Sequence, residues 1–211
     1  MASNDELIQT LVAAGIRDRR LLDAVRNVPR DRFVPAQWRK RAYDDAPLPI
    51  PHDQVTTQPS LSARMIQGLG LLGTERVLEI GTGYGFQTAL LAMLAAEVWS
   101  VERWADIAAS ARANLQRHRI RNAHVLVGDG TLGLPGHGPF DGIIVAAAFP
   151  RVPPPLAEQL VAGGRLVQPV GSGGQEEVTL FVEDDGILVG KEVLTGAHFV
   201  RLIGEHGFAE Q

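Results

Sequence analysis

The densest run of chemically capable residues is Val77-Leu78-Glu79-Ile80-Gly81-Thr82-Gly83-Tyr84-Gly85. An apolar run ending in a glycine-rich turn reads as a strand passing directly into a helix, and the glycines let the backbone turn tightly and let a ligand reach the main chain. The spacing Gly-x-Gly-x-Gly is not the Gly-x-Gly-x-x-Gly that seats a dinucleotide pyrophosphate, and Glu79 precedes it, where a phosphate is repelled. A ligand with a cationic amine and a sulfonium suits this turn, which points to S-adenosyl-L-methionine. Two more acids stand at the ends of the next expected strands. Glu102, in Val101-Glu102-Arg103, lies 21 residues after Gly81 and is placed to accept both ribose hydroxyls. Asp129, in Gly128-Asp129-Gly130, is placed to accept from the adenine amino group. Each acid alone reads slightly better as a surface carboxylate beside a turn; three at successive strand ends, in step with the glycine turn, do not. The expected cofactor-binding residues are therefore Glu79, Gly81, Thr82, Gly83, Glu102, Arg103, Asp129 and Gly130.

Several acceptor chemistries are excluded. The chain has no cysteine, which removes the thiolate nucleophile that cytosine C5 methylation needs, together with disulfides, thiolate zinc sites and iron–sulfur clusters. After the fourth expected strand, Val145-Ala146-Ala147-Ala148-Phe149-Pro150 has no polar handle for a flipped base. Asp129, Asp141 and Asn122 are a thin set for a metal-assisted site, and no metal is expected. A net charge of −4 argues against a nucleic-acid partner. Arg112, Arg117, Arg119, Arg121 and His118 gather at the end of an expected helix, where the macrodipole favours cations. The longest apolar run, Ala89 to Ala96, is eight residues, against roughly 20 for a bilayer span. The opening Met-Ala-Ser-Asn-Asp-Glu-Leu lacks the basic and apolar regions of a signal peptide, so a cytoplasmic location is expected.

The elements that must position these residues follow from periodicity. Ser3 and Glu6 make a capping-box pattern ahead of Leu7, Leu11 and Ala14, and a second helix begins near Asp18 and stops at Pro29. Arg41 to Pro59 carries four prolines and no period, which reads as an extended loop. Then come a helix over Ser60–Leu69, a strand Arg76–Ile80, a helix Phe86 to Ala95, a strand Glu97–Val101, a helix Trp104–Arg117, and strands His124–Val127 and Asp141–Ala147. Strands alternating with helices predict a doubly wound α/β fold with a mostly parallel sheet. Strands Arg165–Val170, Val178–Val182 and Ile187–Val193 predict an antiparallel C-terminal hairpin around Glu183-Asp184-Asp185-Gly186, and Phe199–Ile203 predicts a final edge strand. With 211 residues, 45% of them hydrophobic, the chain fits one domain. Within it, 1–59 would hold covering helices and a substrate loop, 60–170 the cofactor-binding core, and 171–211 the antiparallel strands.

Beyond the glycine turn, the chain resembles the protein-L-isoaspartate O-methyltransferase family over nearly its whole length. The resemblance is carried by Arg41-Ala42-Tyr43-Asp44-Asp45-Ala46-Pro47-Leu48-Pro49-Ile50, Gln58-Pro59-Ser60, the glycine turn with Phe86-Gln87-Thr88-Ala89, Pro139-Phe140-Asp141-Gly142-Ile143-Ile144-Val145, and Gln159 to Gly171. It implies a Rossmann-like methyltransferase sheet, monomeric, with S-adenosyl-L-methionine as cofactor and S-adenosyl-L-homocysteine as product. The implied partners are isoaspartyl-containing proteins or peptides, whose free carboxylate is methylated to an ester that collapses to succinimide and reopens partly as aspartate. Such a carboxylate, with a pKa near ~4, is ionised at neutral pH and needs no strong base.

The departures from the family lie in the proline-rich segment and near the end, at Ala197-His198-Phe199-Val200-Arg201-Leu202. The usual Ile-Gly-x-Gly-Gln-Thr-Ile-Ser-Gln-Pro stands here as Ile50-Pro51-His52-Asp53-Gln54-Val55-Thr56-Thr57-Gln58-Pro59, with both glycines replaced. Thr57 falls on the family's active-site serine and is the expected catalytic residue. Thr56 and Gln58 are expected at the substrate, as is His198, which takes a usual arginine position. Two other readings remain open at this point: a carboxyl methyltransferase with a different acceptor, and a cofactor-binding protein without repair activity.

Overall fold

The computed structural model describes residues 2–210. Helix α1 (Asn4–Ala13) starts in the expected capping box, the Ser3 side chain accepting from the Glu6 amide and the Glu6 carboxylate accepting from the Ser3 amide. Helix α2 (Arg19–Asn27) is capped by Asp18, whose carboxylate accepts from the amides of Arg20 and Leu21. Their inward residues Leu7, Leu11, Leu21 and Val25 join the main core.

The proline-rich segment is not the irregular loop its composition predicts. It folds into a hairpin, β1 (Leu48–Ile50) and β2 (Gln54–Thr56), paired Leu48↔Thr56 and Ile50↔Gln54. Pro49 is tolerated because a two-stranded ribbon has only edges, and the missing N–H can face away from the partner. Helix α3 (Pro59–Leu69) follows, with proline at its first position and Gly70 leaving it at φ +62°.

The core alternates as expected: β3 (Arg76–Ile80), α4 (Phe86–Ala92), β4 (Glu97–Glu102), α5 (Ala105–Arg117), β5 (Ala123–Val127), β6 (Phe140–Val145), α6 (Pro154–Glu158) and β7 (Leu160–Val170), then β8 (Glu176–Asp184) and β9 (Ile187–Ala197). Seven strands form one sheet in the order β5-β4-β3-β6-β7-β8-β9. It is parallel from β5 to β7 and antiparallel through β8 and β9. The chain moves outward from β3 in one direction through β4 and β5, then resumes on the other side with β6. That reversal opens a crevice at the C-terminal ends of β3 and β6, where ligands of open α/β sheets bind.

Several boundaries differ from expectation: β6 ends at Val145 rather than Ala147, β7 starts at Leu160 rather than Arg165, β8 starts at Glu176 rather than Val178, and β9 runs to Ala197 rather than Val193. Helix α4 ends at Ala92 rather than Ala95, because the chain tightens there, Leu94 N–H bonding to Leu91 O, to deliver β4. The C-terminal hairpin strands extend to Asp184 and restart at Ile187. This leaves a two-residue turn, Asp185-Gly186, with φ of +51° and +81°, the geometry that matches strand twist. Phe199–Ile203 is not a continuous strand: Arg201 makes one bridge to Ala148 and Ile203 one to Phe208, while Phe149 turns to pair with Val170.

Asp18→Ala removes the acceptor for two amides at the start of α2 and is expected to cost about 1 kcal/mol. Urea unfolding should show a lower midpoint with an unchanged m value.

Candidate functional site: a cleft and a neighbouring cavity

The glycine turn sits at the sheet crevice. Gly81, Gly83 and Gly85 adopt φ of +93°, +55° and +88°, the left-handed region that disfavours side chains. A Cβ on Gly81 would lie 3.3 Å from that of Ala146, which follows β6. The turn is pinned by Gly81 N–H to Val101 O and Gly85 N–H to Thr82 O. A cleft opens beside it. One wall is Gly81, Thr82, Gly83, Glu102, Arg103, Trp104 and Gly130; the other is the hairpin, through Ile50 and Gln54–Thr57, and the tail, through 200–203.

The three acids divide into different roles. Glu102, almost fully buried, lines the cleft; one oxygen accepts from the Gly83 amide at 2.9 Å and the other from the Trp104 amide at 3.1 Å. Each oxygen keeps acceptor capacity, so a vicinal diol fits here. Trp104 adds a buried indole N–H with no partner among the described residues.

Glu79 does not line the cleft. Strand alternation puts it on the Val77 face of the sheet, beneath α4, while Leu78 and Ile80 join the opposite core. Its carboxylate, with no exposed surface, accepts from Gln87 Nε2 at 3.1 Å, from Ser100 Oγ at 2.6 Å, and from Thr88 Oγ1. Ser100 also bonds the Thr82 hydroxyl, so Glu79 holds the glycine turn through a buried relay. Burial pushes its pKa up to about 7, against the pull of these hydrogen bonds.

Asp129, expected at the adenine, does not line this cleft. It accepts from the Thr131 amide and hydroxyl at 2.8 and 2.7 Å and from the Glu205 amide at 2.7 Å, on a neighbouring groove with Leu134 and Pro135. Partial burial raises its pKa, but the hydrogen bonds outweigh that and hold it below the usual value. The carboxylate is engaged by the two backbone amides because the chain turns around it; its neighbour Gly130 lines the cleft instead. The thin metal set does not assemble: Asp141 accepts from the Arg76 amide and Asn122 donates to Ala92 O.

The hairpin is organised by a residue that the sequence did not single out. Arg30 is 1% exposed. It donates to the carbonyls of Ala42 (2.7 Å), Asp44 (3.2 Å), Ala46 (3.2 Å) and Thr57 (3.4 Å), and to Thr56 Oγ1 (3.0 Å). Desolvation lowers its pKa to about 10 despite Asp45 and Asp44 nearby. The Thr56 hydroxyl oxygen thus accepts from Arg30 and from the Leu48 amide.

A second cavity lies behind the hairpin, lined by Pro47, Gln58, Arg64, Thr195, His198 and Phe199 among others. It shares Val55, Thr56, Thr57, Ala146 and Val200 with the cleft, so Thr57 stands between the two. Gln58 is fixed by Asp45 and Ser60, and Asp45 in turn accepts from the Ser60 amide at the start of α3. Arg64, also unforeseen, contributes a cation to this wall; nothing in its helical context marks it out in sequence.

Residues 2–207 match the family model described as protein-L-isoaspartate(D-aspartate) O-methyltransferase. A protein-L-isoaspartate O-methyltransferase of Anaeromyxobacter dehalogenans is 53% identical over 86% of this chain and 88% of its own length. One from Methanoregula boonei is 46% identical over 94% and 91%. A solved protein-L-isoaspartate O-methyltransferase superposes with a TM-score of 0.83 at 28% identity, covering 97% of this chain and 67% of that one. A Plasmodium falciparum structure in complex with S-adenosyl-L-homocysteine shares the fold at 22% identity, with a TM-score of 0.81 over 96% and 99%.

Because the Glu79 pKa rises from 4.5 to about 7 on folding, the folded state binds more protons than the unfolded one between those values. Its contribution is present in full at low pH and is lost as pH rises through about 7. Glu79→Gln, which can keep the Gln87 and Ser100 hydrogen bonds, should flatten the decline in stability across that interval and gain on the wild type above it. Urea unfolding at a series of pH values checks this.

Proposed function

The chain belongs to the protein-L-isoaspartate(D-aspartate) O-methyltransferase family, and we propose that its cleft and its second cavity divide the reaction between them, cofactor on one side of Thr57 and isoaspartyl carboxylate on the other. The enzyme transfers a methyl group from S-adenosyl-L-methionine to the free carboxylate of L-isoaspartyl residues in damaged proteins or peptides. The observation that carries the division is that Thr57 lines both spaces.

S-adenosyl-L-methionine supplies an electrophilic sulfonium methyl group and leaves as the neutral thioether S-adenosyl-L-homocysteine. In this reading the Gly81–Gly83 main chain and Arg103 border the cofactor, and Glu102 accepts its ribose hydroxyls. Glu79 acts through Ser100 and Thr82 rather than by contact. The acceptor is already ionised at neutral pH, so no residue has to remove a proton. What the protein supplies is alignment of one carboxylate oxygen with the methyl carbon, for which proximity alone provides about 7–11 kcal/mol. The Thr57 hydroxyl donates to the other carboxylate oxygen. Arg64 offers a countercharge at the far wall, and His198 and Gln58 border the peptide. Thr56 supports the hairpin through Arg30.

We read the whole chain as one domain working as a monomer in the cytoplasm, without nucleic acid. No helix among the described residues is long and apolar enough to cross a membrane.

The purified chain is expected to methylate an isoaspartyl peptide and not its aspartyl twin; equal transfer to both, or none to either, overturns the reading. Thr57→Val should keep cofactor affinity and lower kcat/KM by roughly 10–100-fold, the worth of a hydrogen bond to a charged group. Calorimetry with S-adenosyl-L-homocysteine and steady-state rates separate the two effects.

A further inference from the structure

The tip of the β1–β2 hairpin is built in a way that its wall function does not require. His52 and Asp53, at the tip, both sit in the left-handed region, at φ +61° and +54°. Neither is glycine, and such conformations in other residues persist where surroundings enforce them. The enforcing contacts are visible. The His52 ring lies flat on Trp104, centroids 3.9 Å apart and planes 4° from parallel. Its Nε2 lies 2.9 and 3.0 Å from the two Asp106 carboxylate oxygens. The carboxylate only accepts, so Nε2 carries the hydrogen. Trp104 and Asp106 belong to the β4–α5 junction, the opposite wall of the cleft, immediately after Glu102.

We infer that His52 is a positioning residue: through Trp104 and Asp106 it clasps the hairpin across the cofactor cleft, and opening this clasp admits and releases the nucleoside cofactor. The inference rests on the cleft being the cofactor site. Strands β1 and β2 are three residues each and pair only with one another. Arg30 holds their base, at Thr56 and Thr57, but nothing in its reach touches the tip. The tip contacts therefore decide whether Ile50 stands over Gly83 and whether Val55 and Thr57 face the cleft. The same junction fastens the other flap: Arg103 lies over the Trp104 ring at 4.7 Å and bonds Glu210 of the tail at 2.6 Å. Two chain segments that wall the cleft thus meet on adjacent residues. Asp106 is held below the usual carboxylate range by its bond to His52, consistent with a charged partner for the imidazole N–H.

The test measures release of S-adenosyl-L-homocysteine by stopped flow and hydrogen exchange of amides 48–57 in the free protein. His52→Ala and Asp106→Asn are each expected to speed release about tenfold, affinity changes of this kind falling mainly on dissociation. The double variant should be no faster than His52→Ala, because both remove one interaction. His52→Phe, which keeps the stack and loses the bond, should recover part of the difference. Exchange of the hairpin amides should rise in the same order while amides of β3 and β6 stay protected. Unchanged release and unchanged hairpin exchange in His52→Ala and Asp106→Asn overturn the clasp, as do additive effects of the two substitutions. A wild-type chain that binds no S-adenosyl-L-homocysteine overturns the assignment of the cleft, and the clasp as a cofactor device with it; the exchange arm still reports whether His52 holds the tip.

Discussion

One buried guanidinium holds the hairpin wall of the cleft in place. The segment from Ala42 to Thr57 has too many prolines to satisfy its own backbone and too few apolar residues to bury itself. Arg30 supplies the missing donors, reaching four carbonyls and one hydroxyl from a position sealed against water. Arginine is the residue that can do this, since its planar fork carries five donors and is more weakly hydrated than an ammonium. Burying it costs desolvation, seen in its depressed pKa, and the carbonyl dipoles offset that cost. Without it several buried carbonyls would lose their partners, each a loss of about 1–3 kcal/mol. The placement of Thr57 between cleft and cavity is a consequence of this arrangement.

The sheet crevice supplies the second half of the site, and there a buried acid performs a similar task. Glu79 ties β3, α4 and β4 together at the point where the glycine turn leaves the sheet. Through Ser100 it fixes Thr82 from below, while Glu102 fixes Gly83 from above. Two glutamates of the same chemistry thus hold one turn from opposite sides, and only the one facing the cleft keeps lone pairs for a ligand. In the proposed reading the acceptor needs no proton removed, so this turn and the hairpin contribute chiefly by alignment.

Much of this was legible in the sequence. The strand and glycine turn at Val77–Gly85, the alternation that makes a parallel sheet, the capping box at Ser3 and Glu6, and Glu102 as an acid at the second strand end all rest on local rules: periodicity, turn geometry and the position of a strand end. The resemblance in the proline-rich segment pointed to Thr57. Local rules do not reach contacts whose partner is distant in sequence. Asp129 stands at the expected strand end, and the Glu205 amide, 76 positions away, bonds its carboxylate. Phe199–Ile203 has the composition of a strand but makes only isolated bridges, Arg201 to Ala148 and Ile203 to Phe208.

The sequence by itself determined the kind of protein: a doubly wound sheet, a glycine turn suited to a nucleoside with a sulfonium, and chemistry free of thiols, because these follow from residue types and short spacings. Only the tertiary structure decided which acids face the cleft, what folds the proline-rich segment into a hairpin, and that the hairpin tip rests on Trp104 and Asp106. Those outcomes depend on which side of a strand a residue occupies and on contacts such as His52 with Asp106, across 54 positions of chain. Such contacts are long-range, and pairing them requires the packed core that brings the two walls of the cleft within reach.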